Sequence, residues 1–161
     1  MNLTTTYLCD TYVGKENFQI AEPLLRSYGG NQAFSGSIAT LRCFEDSAML
    51  KKILAEKGGN RVLVVDGGGS HRCALLGAQL ATMAFDNGWQ GIVIYGCIRD
   101  TALLNKIPIG IRALHAHPLF CHGKDTGDHD VLITFAGVNF RKDHFLYADT
   151  DGIIVSETML S

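Results

Sequence analysis

The sequence predicts a single α/β domain that is built around a central βαβ unit and has a mixed sheet. Two short apolar runs rich in β-branched residues, Arg61–Asp66 and Gly91–Tyr95, are typical of strands buried on both faces of a parallel sheet. An amphipathic helical pattern lies between them, and the last third of the chain consists mainly of strand patterns. The 161 residues, 47% of them hydrophobic, are enough for one domain over residues 1–161.

The first regular pattern is an alternation of apolar and polar residues from Phe34 to Phe44, which predicts a strand with one buried face. Asp46 or Ser47 is then placed to cap a helix, and Gly58-Gly59 supplies the residues that commonly end one. We interpret this strand and helix as structural.

The helix between the two buried strands has Leu80, Met83, Ala84 and Asn87 on one face and ends at Asn87-Gly88. Gly77 precedes it, and glycine inside a helix costs about 1 kcal/mol relative to alanine. We therefore expect Gly77 to be the N-cap and Ser70–Leu76 to be extended. Because βαβ units cross over right-handedly, both strands end at the same edge of the sheet, where α/β sheets bind ligands.

The patterns in the remaining chain predict four strands and a turn at Asp149–Gly152. Ile109–His117 and Asp130–Val138 are the longer patterns, and Phe145–Tyr147 and Ile153–Val155 are the shorter ones. Such an ending adds antiparallel or mixed strands to the parallel centre.

Composition and charge exclude several classes of function. The net charge is -2 and the basic residues are scattered, so we expect no direct contact with nucleic acid. No basic leader and no apolar run of about 20 residues is present, which favours a cytoplasmic protein without a membrane anchor. The five cysteines are dispersed, and we interpret them as reduced thiols buried as small apolar residues.

The best candidate for a site lies at the carboxyl edge of the sheet. Amides in the first turn of a helix have no partner within it and suit a carboxylate or phosphate, which makes Gly77, Ala78, Gln79 and Leu80 candidates for anion binding. Arg99 and Asp100 follow the next strand at the same edge. Arginine can bind a carboxylate, and aspartate can hold a hydrated divalent cation. The alternative interpretation of Arg99 and Asp100 is an ion pair in an exposed loop, which contributes little energy.

Two other motifs are weaker candidates. The run Gly67-Gly68-Gly69-Ser70 lacks the third glycine of a dinucleotide loop and the ending of a P-loop, so we favour a tight structural turn over a nucleotide or methyl-donor site. A second cluster of possible ligands fits no standard zinc spacing. It consists of His115, His117, Cys121, His122, Asp128 and His129.

Several segments together resemble one known family over nearly the whole chain. They are CDTY, EPLLRSYGG, RCFEDS, RVLVVDGGGSHRCALLG, NGWQGIVIYGCIRD, ITFAGVNF and LYADTDGIIVSE. The family is that of the regulator of ribonuclease E activity A and the 4-hydroxy-4-methyl-2-oxoglutarate aldolases, the RraA-like class II aldolases. The resemblance implies a swivelling α/β domain of the β/β/α type, a homotrimer and, in the enzymatic branch, a site between subunits.

The resemblance also implies a reaction and roles for the residues at the edge. In the enzymatic branch a divalent cation, Mg or Mn, supports cleavage of a small 2-oxo acid, 4-hydroxy-4-methyl-2-oxoglutarate, to pyruvate, and decarboxylation of oxaloacetate. Carried over to this chain, the backbone of Gly77–Leu80 binds the substrate carboxylate, Arg99 contacts the substrate as a catalytic residue, and Asp100 is catalytic and holds the metal. Leu103 departs from the family pattern, since active aldolases have a second acid there, and so does Ala78 or Gln79, where an acid is common.

The other branch of the family offers a second function. Its members are non-catalytic regulators that bind and inhibit ribonuclease E, and the slight negative charge of this chain is compatible with docking on a basic partner. A methyltransferase of quinone synthesis is disfavoured by the spacing of the glycine run.

Overall fold

A computed structural model describes residues 3–161, which form four helices and fourteen strands. The helices are α1 (Thr5–Tyr12), α2 (Ala48–Leu54), α3 (Ala78–Asp86) and α4 (Thr101–Leu104). The strands are β1 (Phe18–Ile20), β2 (Arg26–Tyr28), β3 (Phe34–Arg42), β4 (Val62–Asp66), β5 (Ala74–Leu76), β6 (Gly91–Tyr95), β7 (Cys97–Ile98), β8 (Gly110–Ala113), β9 (His115–Ala116), β10 (Asp128–His129), β11 (Ile133–Phe135), β12 (Val138–Phe140), β13 (Phe145–Asp149) and β14 (Gly152–Ser156).

The main sheet is mixed and has a parallel centre, as the sequence predicts. Strands β3, β4, β6 and β8 lie side by side in parallel, with α2 connecting β3 to β4 and α3 connecting β4 to β6. Antiparallel strands extend both sides, in the order β1-β14-β13-β3-β4-β6-β8-β2, and β10 also pairs with β3. Asp66 lies beside Tyr95 in the register, so the two predicted strands of the βαβ unit end at one edge.

Two apolar layers cover the two faces of this sheet. On one face, Leu63 and Val65 of β4 belong to the core cluster that includes residues of α2 and α3. On the other face, Val62 and Val64 belong to a cluster with Phe135 and other residues of β11 to β14. Successive residues of a strand point to opposite faces, and this explains why β4 is apolar and buried at four consecutive positions, from Val62 to Val65.

Among the described residues, no helix has both the length and the apolar character that crossing a membrane requires.

Two of the predicted strands are divided in the structure. The prediction of one strand over Ile109–His117 is wrong, because β8 and β9 belong to different sheets. The prediction of one strand over Asp130–Val138 is also wrong. Ala136 and Gly137 both have positive φ, 52° and 71°, and turn the chain into the hairpin of β11 and β12. Two consecutive residues of this kind are typical of a tight hairpin turn.

The prediction of five reduced cysteines is wrong for Cys73 and Cys121, which form a disulfide with 5.1 Å between their Cα atoms. These residues lie 48 positions apart in the sequence. A parallel bridge between Ala74 and Phe120 brings them together, and sequence spacing does not reveal it. The cysteines at 9, 43 and 97 are free, and the last two are buried.

Candidate functional site

A pair of short parallel strands brings the two halves of the predicted site together. In the pairing of β5 and β7, Leu76 lies beside Ile98, so the next residues, Gly77 and Arg99, are neighbours. The amide of Arg99 donates to the carbonyl oxygen of Leu76 at 2.9 Å. This small sheet, β5-β7-β9, continues from the edge that the sequence predicts, and the sequence patterns had not indicated a separate sheet.

Gly77 is the N-cap of α3, as predicted, and its backbone is extended (φ -134°). Its carbonyl oxygen accepts a hydrogen bond from the amide of Ala81 at 3.0 Å. A Cβ atom at Gly77 would lie 2.8 Å from Oδ2 of Asp100 and 3.2 Å from Nε of Arg99. The glycine is therefore required by the close approach of these two side chains.

Asp100 places its carboxylate at the N-terminus of α3. Its backbone is left-handed, with φ of 64°, a conformation that aspartate tolerates better than most residues. Oδ2 accepts a hydrogen bond from the amide of Ala78 at 2.9 Å. The amides of Gln79 and Leu80 also belong to the first turn and have no acceptor within the helix, so they remain suited to a bound anion.

Arg99 packs against an aromatic ring and has a buried nitrogen atom without a hydrogen-bond partner. Its Cζ atom lies 4.5 Å from the centroid of the Phe120 ring, which orients the guanidinium group. Nη1 makes a long contact of 3.5 Å with the carbonyl oxygen of Pro118. Nε is buried and has no hydrogen-bond partner among residues 3–161. An unpaired buried donor is rare in folded proteins and calls for a partner such as a bound anion or a water molecule.

All six predicted site residues line one cavity of about 620 Å³. Part of its wall comes from elements that the sequence did not connect with the site. The remaining lining residues are Ser47, Ala48, Lys51, Leu103, Phe120, His122 and Gly123. Neither α2, which we had interpreted as structural, nor the loop after β9 has a sequence signal that places it beside Arg99.

The loop after β9 is fastened to the start of α2. Ser47 donates from Oγ to the carbonyl oxygen of Cys121 at 2.5 Å. Asp46 accepts hydrogen bonds from the amides of Lys124 and Thr126 and from Oγ1 of Thr126, at 2.7 to 3.0 Å. Asp46 also accepts the amide of Ala48, so of the two predicted capping residues Asp46 supplies the hydrogen bond, while Ser47 occupies the N-cap position without one. This wall of the cavity is thus held by a polar network and by the disulfide.

The carboxyl of Asp46 has a strongly perturbed pKa. Burial acts to raise the pKa, but hydrogen bonds from Thr126, Ala48 and Lys124 outweigh this effect and lower the pKa to about 2. Asp46 is therefore ionised at neutral pH and fully engaged as an acceptor, so its role is to position the loop.

The glycine run after β4 is a structural turn, as the sequence favoured. The amides of Gly67 and Gly69 donate to the carbonyl oxygen of Tyr95 at 3.0 and 3.1 Å. The amide of Gly68 donates to Oδ1 of Asp66 at 2.9 Å. These three amides already have acceptors within the protein, and none is left for the phosphates of a nucleotide.

The histidine cluster does not assemble. Cys121 is in the disulfide, the rings of His115 and His71 pack at 5.0 Å, and Nδ1 of His117 accepts the amide of Leu119. Between residues 3 and 161, no three His, Cys, Asp or Glu side chains form a group that could hold a metal ion.

The fold and the cavity define an α/β domain whose cleft combines a helix N-terminus, a fixed arginine and a carboxylate, a combination suited to a small organic acid. The chain belongs to the RraA-like family, because the Aldolase/RraA family model matches residues 5–155.

Relatives and solved structures agree with this assignment. A protein of Methylococcus capsulatus named "Putative 4-hydroxy-4-methyl-2-oxoglutarate aldolase" is 58% identical over 160 residues, which cover 99% of each chain. The RNA-processing inhibitor RraA from Thermus thermophilis is 41% identical, with a TM-score of 0.94 over 100% of this chain and 96% of that one. A structure described as a S-adenosylmethionine: 2-dimethylmenaquinone methyltransferase, from Geobacillus kaustophilus HTA426, is 40% identical with the same TM-score over 98% and 97%. The curled mixed sheet of this chain is therefore the RraA fold.

Proposed function

We propose that the protein is a divalent-metal-dependent class II aldolase that cleaves 4-hydroxy-4-methyl-2-oxoglutarate to two molecules of pyruvate and also decarboxylates oxaloacetate. The observation that carries this proposal is the buried, unpaired Nε of Arg99 beside the N-terminus of α3 and the carboxylate of Asp100. The name given to the relative in Methylococcus capsulatus supports the same activity.

The substrate carboxylate binds at the first turn of α3. The amides of Gln79 and Leu80 donate to it, and Arg99 supplies the opposite charge. The amide of Ala78 is engaged with Asp100. It therefore orients the carboxylate of Asp100, while Gly77 keeps the backbone close to Arg99.

The single carboxylate of Asp100 fits a divalent cation that keeps most of its waters. Magnesium is usually held by one or two protein carboxylates together with water and substrate oxygens. Only Oδ2 of Asp100 has a hydrogen-bond donor among residues 3–161, and Oδ1 is left for a ligand. When bound, the ion supplies Lewis acidity to the carbonyl and enolate oxygens of the substrate. Leu103 stands where a second acid would strengthen its binding.

Both reactions produce the enolate of pyruvate. In the aldol cleavage the hydroxyl at C4 gives its proton to solvent water, the C3–C4 bond breaks, and the electron pair moves to the oxygen at C2. One pyruvate departs, and the enolate takes a proton from water at C3 to become the second. In the decarboxylation the bond to the departing carboxylate supplies that electron pair. Arg99, held over Phe120, is a fixed positive charge that stabilises the growing negative charge without moving.

The experiment is a pyruvate-release assay with each substrate, with and without magnesium, on the wild type and on Asp100→Asn. This substitution keeps the shape of the side chain and removes its charge. We expect the rate to fall at least about a hundredfold, because the Lewis acid contributes several kcal/mol. A wild-type rate no higher than that of the metal alone, or a variant as active as the wild type, contradicts the proposal. Leu103→Asp is the complementary variant and should strengthen metal binding.

A second candidate function is inhibition of ribonuclease E by direct binding, and the 41% identity to the RNA-processing inhibitor RraA favours it. This function needs a surface and no reaction in the cavity. If it is the function of this chain, Asp100→Asn should inhibit ribonuclease E as well as the wild type does.

A further inference from the structure

Lys51 lies on the wall of the cavity formed by the start of α2. It shares this wall with Ser47 and Ala48, which precede it by four and three positions and therefore lie on the same face of the helix. The hydrogen bond from Ser47 to Cys121 joins this face to the loop that holds Phe120. The backbone at Lys51 is thus held beside the loop that carries Phe120, while the side chain of Lys51 is exposed to solvent at the cavity.

The charge of Lys51 has no counterion within the protein. Among residues 3–161, its ammonium group takes part in no ion pair. Lys52, the next residue, pairs with Asp125 and does not line the cavity. Of these two lysines on the same short helix, Lys51 lines the cavity and Lys52 does not, so Lys52 serves as a matched control.

The charges on the cavity wall are two cations and one anion. Lys51 and Arg99 are positive, Asp100 is negative, and the N-terminus of α3 adds a partial positive charge. A single carboxylate that binds to Arg99 and to the amides of Gln79 and Leu80 would leave Lys51 without a partner. Lys51 is therefore available to a second negative group bound in the cavity.

We infer that Lys51 binds the second carboxylate of a dicarboxylic 2-oxo acid and so selects diacids over monoacids. The inference rests on the proposed function in one respect, the binding of the first carboxylate beside Arg99. Lys51 is a specificity-determining residue and takes no part in bond breaking.

This role has different consequences for the two reactions. In aldol cleavage the second carboxylate remains on the departing pyruvate, so its contact with Lys51 persists through the transition state. In decarboxylation of oxaloacetate that carboxylate leaves as carbon dioxide and its electron pair stays on the enolate. A cation that binds the departing carboxylate stabilises the ground state more than the transition state and does not accelerate the step. Lys51 therefore favours cleavage over decarboxylation.

The test compares two ligands that differ only at the distal end, 2-oxoglutarate and 2-oxopentanoate. Their binding to the full chain is measured by titration calorimetry with magnesium present, for the wild type, Lys51→Met, Lys51→Arg and the control Lys52→Met. A charge-assisted contact of this kind should make the wild type bind 2-oxoglutarate about tenfold more tightly than 2-oxopentanoate. Lys51→Met should abolish this difference, while Lys51→Arg and Lys52→Met should keep it. Equal affinity of the wild type for the two acids, no binding of 2-oxoglutarate, or an unchanged preference in Lys51→Met overturns the inference.

Kinetics separate this inference from the proposed function. Lys51→Met should raise KM for the aldol substrate with little change in kcat, and should not lower kcat for oxaloacetate decarboxylation. A wild type that prefers 2-oxoglutarate but releases no pyruvate would refute the proposed function and leave the role of Lys51 standing. An active enzyme whose Lys51→Met variant keeps its preference for the diacid would refute the role of Lys51 and leave the proposed function standing.

Discussion

At the scale of single residues, the buried carboxylate of Asp46 positions a wall of the cavity that it does not itself line. It is 2% exposed and joins the start of α2 to the loop that contributes His122 and Gly123. Its sequence context, just before a helical pattern, indicates a cap and nothing more. Its contacts with Lys124 and Thr126 give it a second role in positioning the cavity.

The pKa of Asp46 predicts how stability depends on pH. The pKa is lowered on folding from 3.8 to about 2, so the contribution is present above pH 4 and is lost as the pH falls towards 2. Asp46→Asn should lower the free energy of unfolding at pH 7 by about 2 kcal/mol and flatten its pH dependence between pH 4 and 2. Urea unfolding between pH 2 and 7 measures both effects.

The control is Asp125→Asn, which removes an exposed carboxylate from the same loop. Its ion pair with Lys52 is on the surface, where such pairs contribute little. If Asp46→Asn kept the wild-type pH dependence, the hydrogen bonds of Asp46 would not be the cause of acid sensitivity.

At the scale of secondary-structure elements, β5 and the loop after β9 form the frame behind Arg99. Two backbone hydrogen bonds join them, from Ala74 to Leu119 at 2.7 Å and from Cys121 to Ala74 at 2.8 Å. The disulfide between Cys73 and Cys121 lies beside these bonds. The frame therefore has a covalent and a non-covalent component.

Reduction of the disulfide should destabilise the fold more than it affects the cavity. Closing a loop of 48 residues should stabilise the protein by about 4 kcal/mol, mainly by restricting the unfolded chain. We expect the urea midpoint to fall after treatment with dithiothreitol, and the double variant Cys73→Ala, Cys121→Ala to behave like the reduced protein. Affinity for 2-oxoglutarate should change little because the backbone bonds remain. Cys9→Ala is the control, and equal midpoints for oxidised and reduced protein would contradict this prediction.

At the scale of the whole molecule, the cavity lies open at the surface of one chain. Asp100 is exposed there, and Leu103 on the same wall is 55% exposed although it is apolar. A single exposed apolar side chain does not define an interface, so the expectation that a second subunit covers this wall rests on the family resemblance.

We therefore expect the protein to be a homotrimer with closed symmetry, as the family resemblance implies. Sedimentation velocity at micromolar concentration should give a single species with three times the mass of the chain, and dilution should not dissociate it. A stable monomer under these conditions would remove the argument for a site shared between subunits.

The sequence by itself determined the parallel centre of the fold and the edge at which the six candidate residues meet. Apolar runs such as those of β4 and β6 mark doubly buried strands, and a glycine before a helical pattern marks the start of α3, because both signals depend on local geometry. Arg99 and Asp100 could be placed at the same edge because right-handed crossovers make parallel strands end together.

Only the tertiary structure decided which distant elements complete the cavity. Lys51, Phe120 and the disulfide partner of Cys73 carry no local pattern that points to Arg99. Their proximity depends on the register of β5 and β7 and on the bridge between Ala74 and Phe120, which are contacts between segments far apart in the chain. The strand predicted over Asp130–Val138 was wrong for a related reason. Alternation along a chain shows which residues are buried, but it does not show the tight turn at Ala136 and Gly137, whose φ angles are positive although alanine seldom adopts this conformation.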